Sequence, residues 1–199
     1  AAFDQAIALE PKHADAYIER GITRHRKKEL DGAIADFSQA IALAPKHAVA
    51  YNSRGEARRV QGDLDGAVED LSRAIALAPK HATAYALLAG IRLRQKDFAG
   101  AIADFSKTIE LASQPRKAQA YTNRGEARRL NKDPEGAIAD FTAAIKHATS
   151  KSQQAQAYNN RGIAKQGKGD WMAPSPISPR RSNLFPPMPT PTTTAAPPN

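Results

Sequence analysis

The sequence predicts an all-α protein in which helical hairpins stack into a solenoid, and two observations carry that prediction. The first is a recurring tyrosine, spaced by 34, 34, 36 and 37 residues, at Tyr17, Tyr51, Tyr85, Tyr121 and Tyr158. The second is an aspartate followed by Phe or Leu at a constant distance after the first four tyrosines, at Asp36, Asp70, Asp104 and Asp140. A fixed period in this range indicates stacked supersecondary units and not one closed core.

Each repeat contains two helical stretches separated by a short turn. In the second stretch apolar residues recur at three- and four-residue steps, which is the spacing of one buried helix face. In the first repeat these residues are Ala33, Phe37, Ala40, Ile41 and Ala44. Turn signals within the repeats are Gly62-Asp63, Lys96-Asp97 and Asp133-Pro134. Proline cannot continue a helix. The second helices are therefore expected to end at Pro11, Pro45 and Pro79.

Small residues and charged pairs predict how the two helices of a repeat meet. We expect close helix crossings at the small residues of the first helices, Gly21, Gly55, Ala89, Gly125 and Gly162. An arginine precedes the aspartate by a constant interval in three repeats, which predicts the bridges Arg20–Asp36, Arg54–Asp70 and Arg124–Asp140. The third repeat has Leu88 in the arginine's place, so Asp104 is expected to face water or to use another cation.

These residues together resemble a tetratricopeptide repeat (TPR) protein. The family's signature places are matched by the Tyr-x-x-x-Gly start, by the Ala-x-x-x-Phe-x-x-Ala pattern of the second helix and by the closing proline. The Arg-Gly and Asp-Phe variants resemble repeats common in bacterial proteins. The resemblance implies a right-handed superhelix of antiparallel helix pairs over residues 1–171. Its predicted parts are a half repeat 1–13, repeats at about 14–47, 48–81, 82–117 and 118–154, and a partial repeat 155–171.

The later repeats and the end of the chain depart from this regularity. Two extra residues fall in the turn around Ser113-Gln114-Pro115, and a longer polar connection covers residues 148–154. We expect these insertions to lengthen helix ends or loops and to change the superhelix pitch locally. Residues 172–199 are rich in Pro, Ser and Thr, which predicts a disordered tail. Two interpretations of this tail stay open: a native segment, or an end translated in a shifted reading frame.

Composition narrows the classes of protein without naming a partner. The net charge is +9, which favours acidic partners. Cysteine is absent, so disulfides are excluded. No apolar run approaches the length of about 18 residues that a membrane span needs. The first residues do not resemble a signal peptide, and the sequence assigns no compartment.

No residue pattern predicts catalysis, a metal or a cofactor. The histidines His13, His47 and His81 recur at the turns between repeats, but stacked repeats place equivalent residues about 8–10 Å apart. Ligands of one zinc ion must each lie about 2 Å from it. Residues 162–168 match the start of a phosphate-binding loop, but Gly169 replaces the required Ser or Thr and no strand precedes it. No nucleophile–base pair recurs with an orienting group.

The TPR resemblance implies that the first helices line a concave groove that holds peptides. The residues expected on or near this groove are Asn52, Glu56, Arg59, Arg94, Asn123, Glu126, Arg129, Asn159 and Asn160. Their mixed charge predicts a non-enzymatic protein–protein interaction scaffold for a peptide or protein segment with acidic residues.

An RNA-binding helical-repeat protein that uses the basic residues of the first helices is the alternative function. The expected groove lacks aromatic residues on which bases could stack, which argues against nucleic acid. Both ends of the array are expected to expose apolar stripes, so self-association through uncapped ends is a further prediction.

Overall fold

The computed structural model describes residues 2–168. The predicted tail, 172–199, and the last residues of the predicted partial repeat, 169–171, lie outside the described residues. Within residues 2–168 every regular element is an α-helix, as the sequence predicts. The helices are α1 (Ala2–Leu9), α2 (Ala14–Arg26), α3 (Leu30–Leu43), α4 (Ala48–Gln61), α5 (Leu64–Leu77), α6 (Ala82–Arg94), α7 (Phe98–Leu111), α8 (Gln114–Leu130), α9 (Pro134–His147) and α10 (Lys151–Lys168).

The helices form four pairs in chain order, α2–α3, α4–α5, α6–α7 and α8–α9, which are numbered here one to four. The second helix of each pair also packs against the first helix that follows it, so the core is a continuous row of small clusters. In one such cluster Phe37 of pair one packs with Ala50 and Ala57 of pair two. Contacts also join the first helices α2 with α4, α4 with α6, and α8 with α10. The first helices therefore form one layer of the solenoid.

The turn inside each pair follows the predicted signals. Asp63, Asp97 and Asp133 cap the second helices by accepting hydrogen bonds from the backbone N–H three residues later, at 2.9, 2.9 and 2.8 Å. The residue before each cap has a left-handed backbone. Pair two has Gly62 there, with φ 101°, whereas Lys96 and Lys132 have φ values of 63° and 60°.

The close helix crossings predicted at glycine are confirmed in three pairs. A Cβ atom on Gly21 would lie 2.7 Å from Cε1 of Phe37, and one on Gly125 would lie 2.8 Å from Cε1 of Phe141. At Gly55 the nearest atom would be Cγ of Leu71, at 3.0 Å. No described atom lies within 4 Å of a Cβ on Gly162.

The insertions lengthen helices, which confirms one of the two expected outcomes. Helices α4 and α6 have 14 and 13 residues, whereas α8 and α10 have 17 and 18. The added residues form an extra turn at the start of each long helix: α4 begins at Ala48, shortly before Tyr51, but α8 begins at Gln114, well before Tyr121. None of the helices in residues 2–168 combines the length and apolarity needed to cross a membrane.

Candidate functional site

The first helices are held in place by the predicted arginine–aspartate bridges, which the structure confirms. Arg54 donates from Nε and Nη2 to the two carboxylate oxygens of Asp70, at 2.9 and 2.7 Å. The bridge Arg20–Asp36 has distances of 3.0 and 2.6 Å, and Arg124–Asp140 has 2.9 and 2.7 Å. Each bridge joins the two helices of one pair and fixes their register.

A second arginine on the same first helix binds each of these carboxylates, which the sequence reasoning missed. Arg58 donates from Nη1 to Oδ2 of Asp70 at 2.9 Å and to the carbonyl oxygen of Gly66 at 3.2 Å. Equivalent ion pairs are Arg24–Asp36 at 2.8 Å and Arg128–Asp140 at 3.0 Å. The signal in the sequence was the second arginine one helical turn after the first.

Pair three keeps its aspartate and the second arginine, which is Arg92, but lacks the first arginine. Of the two outcomes that the sequence analysis expected, Asp104 therefore takes the second, the use of another cation. Arg92 donates from Nη1 to Oδ2 of Asp104 at 2.6 Å, and Leu88 fills the place of the missing arginine. Burial raises the pKa of Asp104, while the charge and hydrogen bond of Arg92 oppose that rise.

The first arginine of a pair also donates to the pair before it, except between pairs two and three, where Leu88 replaces that arginine. Arg54 donates from Nη1 to Oγ of Ser38 at 3.1 Å, and Arg124 donates to Oγ of Ser106 at 2.9 Å. At the start of the array Arg20 donates to Asp4 of α1 at 2.9 Å. Each of these bonds joins a first helix to the helix that precedes it in the chain.

Two glutamate–arginine pairs of the predicted groove lie at equivalent places of pairs two and four. Glu56 accepts two hydrogen bonds from Arg59, from Nε and Nη2, both at 2.8 Å. Glu126 accepts the same two bonds from Arg129, at 2.8 and 2.6 Å. These bonds raise the pKa values of both arginines and lower that of Glu126. The arginines are therefore held in fixed positions on the first helices.

The remaining predicted groove residues are less constrained. Asn52 is half-buried, and its Oδ1 is a buried acceptor that has no hydrogen-bond partner in the described part of the chain. Arg94 and Asn159 are exposed and Asn160 is half-buried. Asn123 accepts at Oδ1 from Nε2 of Gln119, at 2.8 Å.

A pocket of about 360 Å³ opens beside Asn123, between α6, α7 and α8. Its walls are mostly apolar, formed by Ala82, Ala86, Phe105, Ala112 and Ala120. Its polar lining residues are Thr83, Thr108, Arg116, Gln119, Asn123 and Gln153. Of the predicted groove residues, only Asn123 belongs to this lining. The polar residues that sequence reasoning missed include Arg116 and Gln153, which lie on the extra turns of α8 and α10.

The described part of the chain does not bring three or more His, Cys, Asp or Glu side chains together as a metal site. The recurring histidines serve the turns instead: Nδ1 of His13 accepts from the backbone N–H of Ala16 at 3.3 Å, and Nε2 of His47 lies 3.2 Å from Asp15.

The architecture defines a helical-repeat solenoid whose first helices carry both the ion pairs and the pocket. Its sequence matches the tetratricopeptide repeat family over residues 1–48, 52–114 and 108–155. The chain therefore belongs to the TPR family, whose repeats are typical of protein–protein interaction scaffolds.

Solved structures of TPR proteins share this fold. YrrB, described as a TPR protein with an unusual peptide-binding site, superposes with a TM-score of 0.74 at 20% identity, covering 85% of each chain. The MamA protein gives a TM-score of 0.72 at 23% identity, over 79% of this chain and 84% of that one. MamA from Desulfovibrio magneticus RS-1, from residue 41 to its end, gives 0.71 at 18% identity, over 79% and 86% of the chains. No curated protein matches the sequence significantly.

Proposed function

We propose that this chain is a protein–protein interaction scaffold that binds a segment of a partner protein along its first helices and performs no catalysis itself. One observation carries the proposal: Arg59 and Arg129 occupy equivalent places, and each is fixed by its own glutamate through Nε and Nη2. Within the described residues the Nη1 group of each arginine donates to no acceptor. A partner carboxylate or backbone carbonyl can therefore bind there without the cost of ordering the side chain.

The chemistry of the surface favours an acidic or mixed segment. The net charge of +9 attracts acidic partners, while Glu56 and Glu126 balance part of the local positive charge. The amides of Asn123, Asn159 and Asn160 offer donors and acceptors to a peptide backbone. Oδ1 of Asn52 is a buried, unmet acceptor, and a turn of this amide toward a peptide N–H would satisfy it. The description of YrrB as a peptide-binding TPR protein supports the same class of ligand.

RNA is the weaker candidate because four of the five recurring tyrosines have a guanidinium over one face of the ring. Arg20, Arg54, Arg124 and Arg161 each lie over the ring of the tyrosine one turn earlier, at 5.5, 5.8, 5.5 and 5.2 Å from the ring centroid. One face of each ring is thus covered by a guanidinium. Single-strand recognition normally stacks bases on exposed aromatic faces.

The proposal is tested by affinity capture on the whole chain, followed by mass spectrometry and by measurement of Kd for the captured segment. The triple variant Arg59→Ala, Arg129→Ala, Asn123→Ala should bind the segment at least tenfold more weakly. The contribution of the two arginines to the binding affinity should decrease at high salt, whereas the contribution of Asn123 should not. A matched control is Arg73→Ala, Lys146→Ala, Gln39→Ala, which changes exposed residues of second helices. If the triple variant keeps its helix content and binds as tightly as the wild type, the binding surface does not include these three residues.

Self-association through the end helices stays a separate prediction. Leu9 of α1 and Ile163 of α10 are exposed among the described residues, at 88% and 46%. An apolar contact between copies would bury such side chains. Light scattering over a concentration series tests this, and a strict monomer at high concentration contradicts it.

A further inference from the structure

We propose that the pocket between α6, α7 and α8 anchors the partner segment by taking one aliphatic side chain, while Arg116 at its edge binds a carboxylate of the same segment. This inference rests on the proposed function for the peptide nature of the ligand. It adds where the segment is anchored and which side chains select it.

The pocket arises from the irregular part of the array. The pocket occupies a gap between the first helices α6 and α8, beside α7. The gap is walled on one side by the extra turn of α8, which carries Arg116, and on another by Gln153 on the extra turn of α10. Pairs one and two lack these turns, so the pocket marks one position along an otherwise repetitive groove.

The apolar lining fits a single aliphatic side chain. Four of the wall residues are alanines, whose short side chains leave the space empty, and Phe105 is only 1% exposed. A volume of about 360 Å³ lies near the lower end of the range of about 300–1,000 Å³ found for ligand sites. It therefore has room for at least one large side chain of a longer segment. Burial of a Leu, Ile or Met side chain is favourable there because its apolar surface leaves water.

The charge at the pocket selects an acidic neighbour of that residue. Of the residues 2–168 that line the pocket, Arg116 alone carries a charge. The one hydrogen bond of its side chain within the described residues is from Nη1 to the neutral Oγ1 of Thr83, at 3.3 Å. No carboxylate of the described chain forms an ion pair with it. A ligand carboxylate therefore meets an exposed, uncompensated guanidinium.

Asn123 provides the contact to the ligand backbone. Its Oδ1 already accepts from Gln119, so its orientation is set and its Nδ2 remains a donor at the pocket wall. A carbonyl beside the buried side chain can accept that hydrogen bond. The anchoring site thus combines an apolar cavity, a cation and an amide donor. A few consecutive residues of the bound segment can contact all three.

Selection from a phage-displayed library of random twelve-residue peptides on the whole chain tests the inference. Enriched peptides are expected to carry Leu, Ile or Met within one or two residues of Asp or Glu. The Kd of an enriched peptide is then measured by fluorescence anisotropy with two variants. Ala86→Phe fills the pocket, and Arg116→Ala removes the cation. Their controls are Ala103→Phe, on an exposed position of α7, and Lys146→Ala, on an exposed position of α9.

Ala86→Phe should weaken binding by about tenfold or more, because it excludes the aliphatic side chain. Arg116→Ala should weaken it by about threefold to tenfold at low salt and by less at high salt. Replacement of the aliphatic residue of the peptide by alanine should weaken binding to the wild type but add little for Ala86→Phe. The measurement on the wild type does not depend on the folding of Ala86→Phe.

Two outcomes overturn the inference and are distinguishable. Peptides that bind more weakly to the double variant Arg59→Ala, Arg129→Ala, but not to Ala86→Phe or Arg116→Ala, contradict the pocket and leave the proposed scaffold function intact. A selection without any enrichment above background removes both.

Discussion

Asp70 and Arg54 are joined by two parallel hydrogen bonds of 2.7 and 2.9 Å, although only 2% of Asp70 is exposed to solvent. Arg58 adds a third bond, so the buried carboxylate lies between two cations from the same first helix. A buried charge is tolerated only when it is paired and hydrogen-bonded. Each such aspartate therefore holds its helix pair in one register.

Asp70→Asn should strongly destabilise the array. The amide removes the negative charge and turns an N–H group toward two guanidinium groups. The loss reaches about 3–5 kcal/mol for a fully buried pair and is smaller here because Arg54 and Arg58 contact solvent. Urea unfolding followed by circular dichroism measures it. Glu69→Gln, at an exposed position of the same helix, serves as the control and should change the midpoint little. Similar midpoints for both variants would contradict the structural role.

Asp104→Asn should destabilise the protein less at neutral pH than Asp70→Asn does. Burial raises the pKa of Asp104 above its ordinary value of 3.8, so the folded protein holds this proton more tightly than the unfolded chain does. Asp104 therefore favours folding most below pH 3.8. That contribution is lost as the pH rises through the pKa of the folded state. The stability of the wild type relative to Asp104→Asn should fall from about pH 4 to pH 7. Urea unfolding at each pH measures it, and a relative stability that grows with pH would refute the prediction.

Glycine should stabilise the chain where lysine has a left-handed backbone. Lys28, Lys96 and Lys132 have φ values of 65°, 63° and 60°, a conformation that costs a residue other than glycine about 1–2 kcal/mol. After the greater chain entropy of glycine is subtracted, each change to glycine should gain up to about 1 kcal/mol. Thermal midpoints should rise accordingly. Lys27→Gly, at φ −82°, should give no gain, and an equal rise there would contradict this account.

Alanine substitutions at two helical glycines should change the stability in opposite directions. Gly21→Ala places a Cβ 2.7 Å from Phe37, and overpacking costs about 1–3 kcal/mol, more than the gain of about 1 kcal/mol in helix propensity. Gly90→Ala meets no described atom within 4 Å and should keep that gain. Denaturant midpoints of the two variants decide the matter. A stabilised Gly21→Ala would show that the crossing can relax.

The fold and the bridges within pairs could be predicted because they depend on constant spacings. An arginine and an aspartate at a fixed interval meet wherever two helices and a short turn repeat. The sequence left open whether Asp104 faces water or uses another cation, and the structure pairs it with Arg92. The pocket could not be predicted in this way. The polar residues inserted before Tyr121 fit either a loop or a helix. Only the helical outcome places Arg116 beside Thr83.

The extra turn of α8 also bears on how repeat arrays diversify. The extra turn lies before Tyr121, so the interval from Tyr121 to Asp140 equals that from Tyr17 to Asp36, and α8 presents the same face to its neighbours. Gly125 still crosses Phe141 as Gly21 crosses Phe37. A duplicated array can thus gain selectivity in a single copy, while the other copies remain under selection for packing alone.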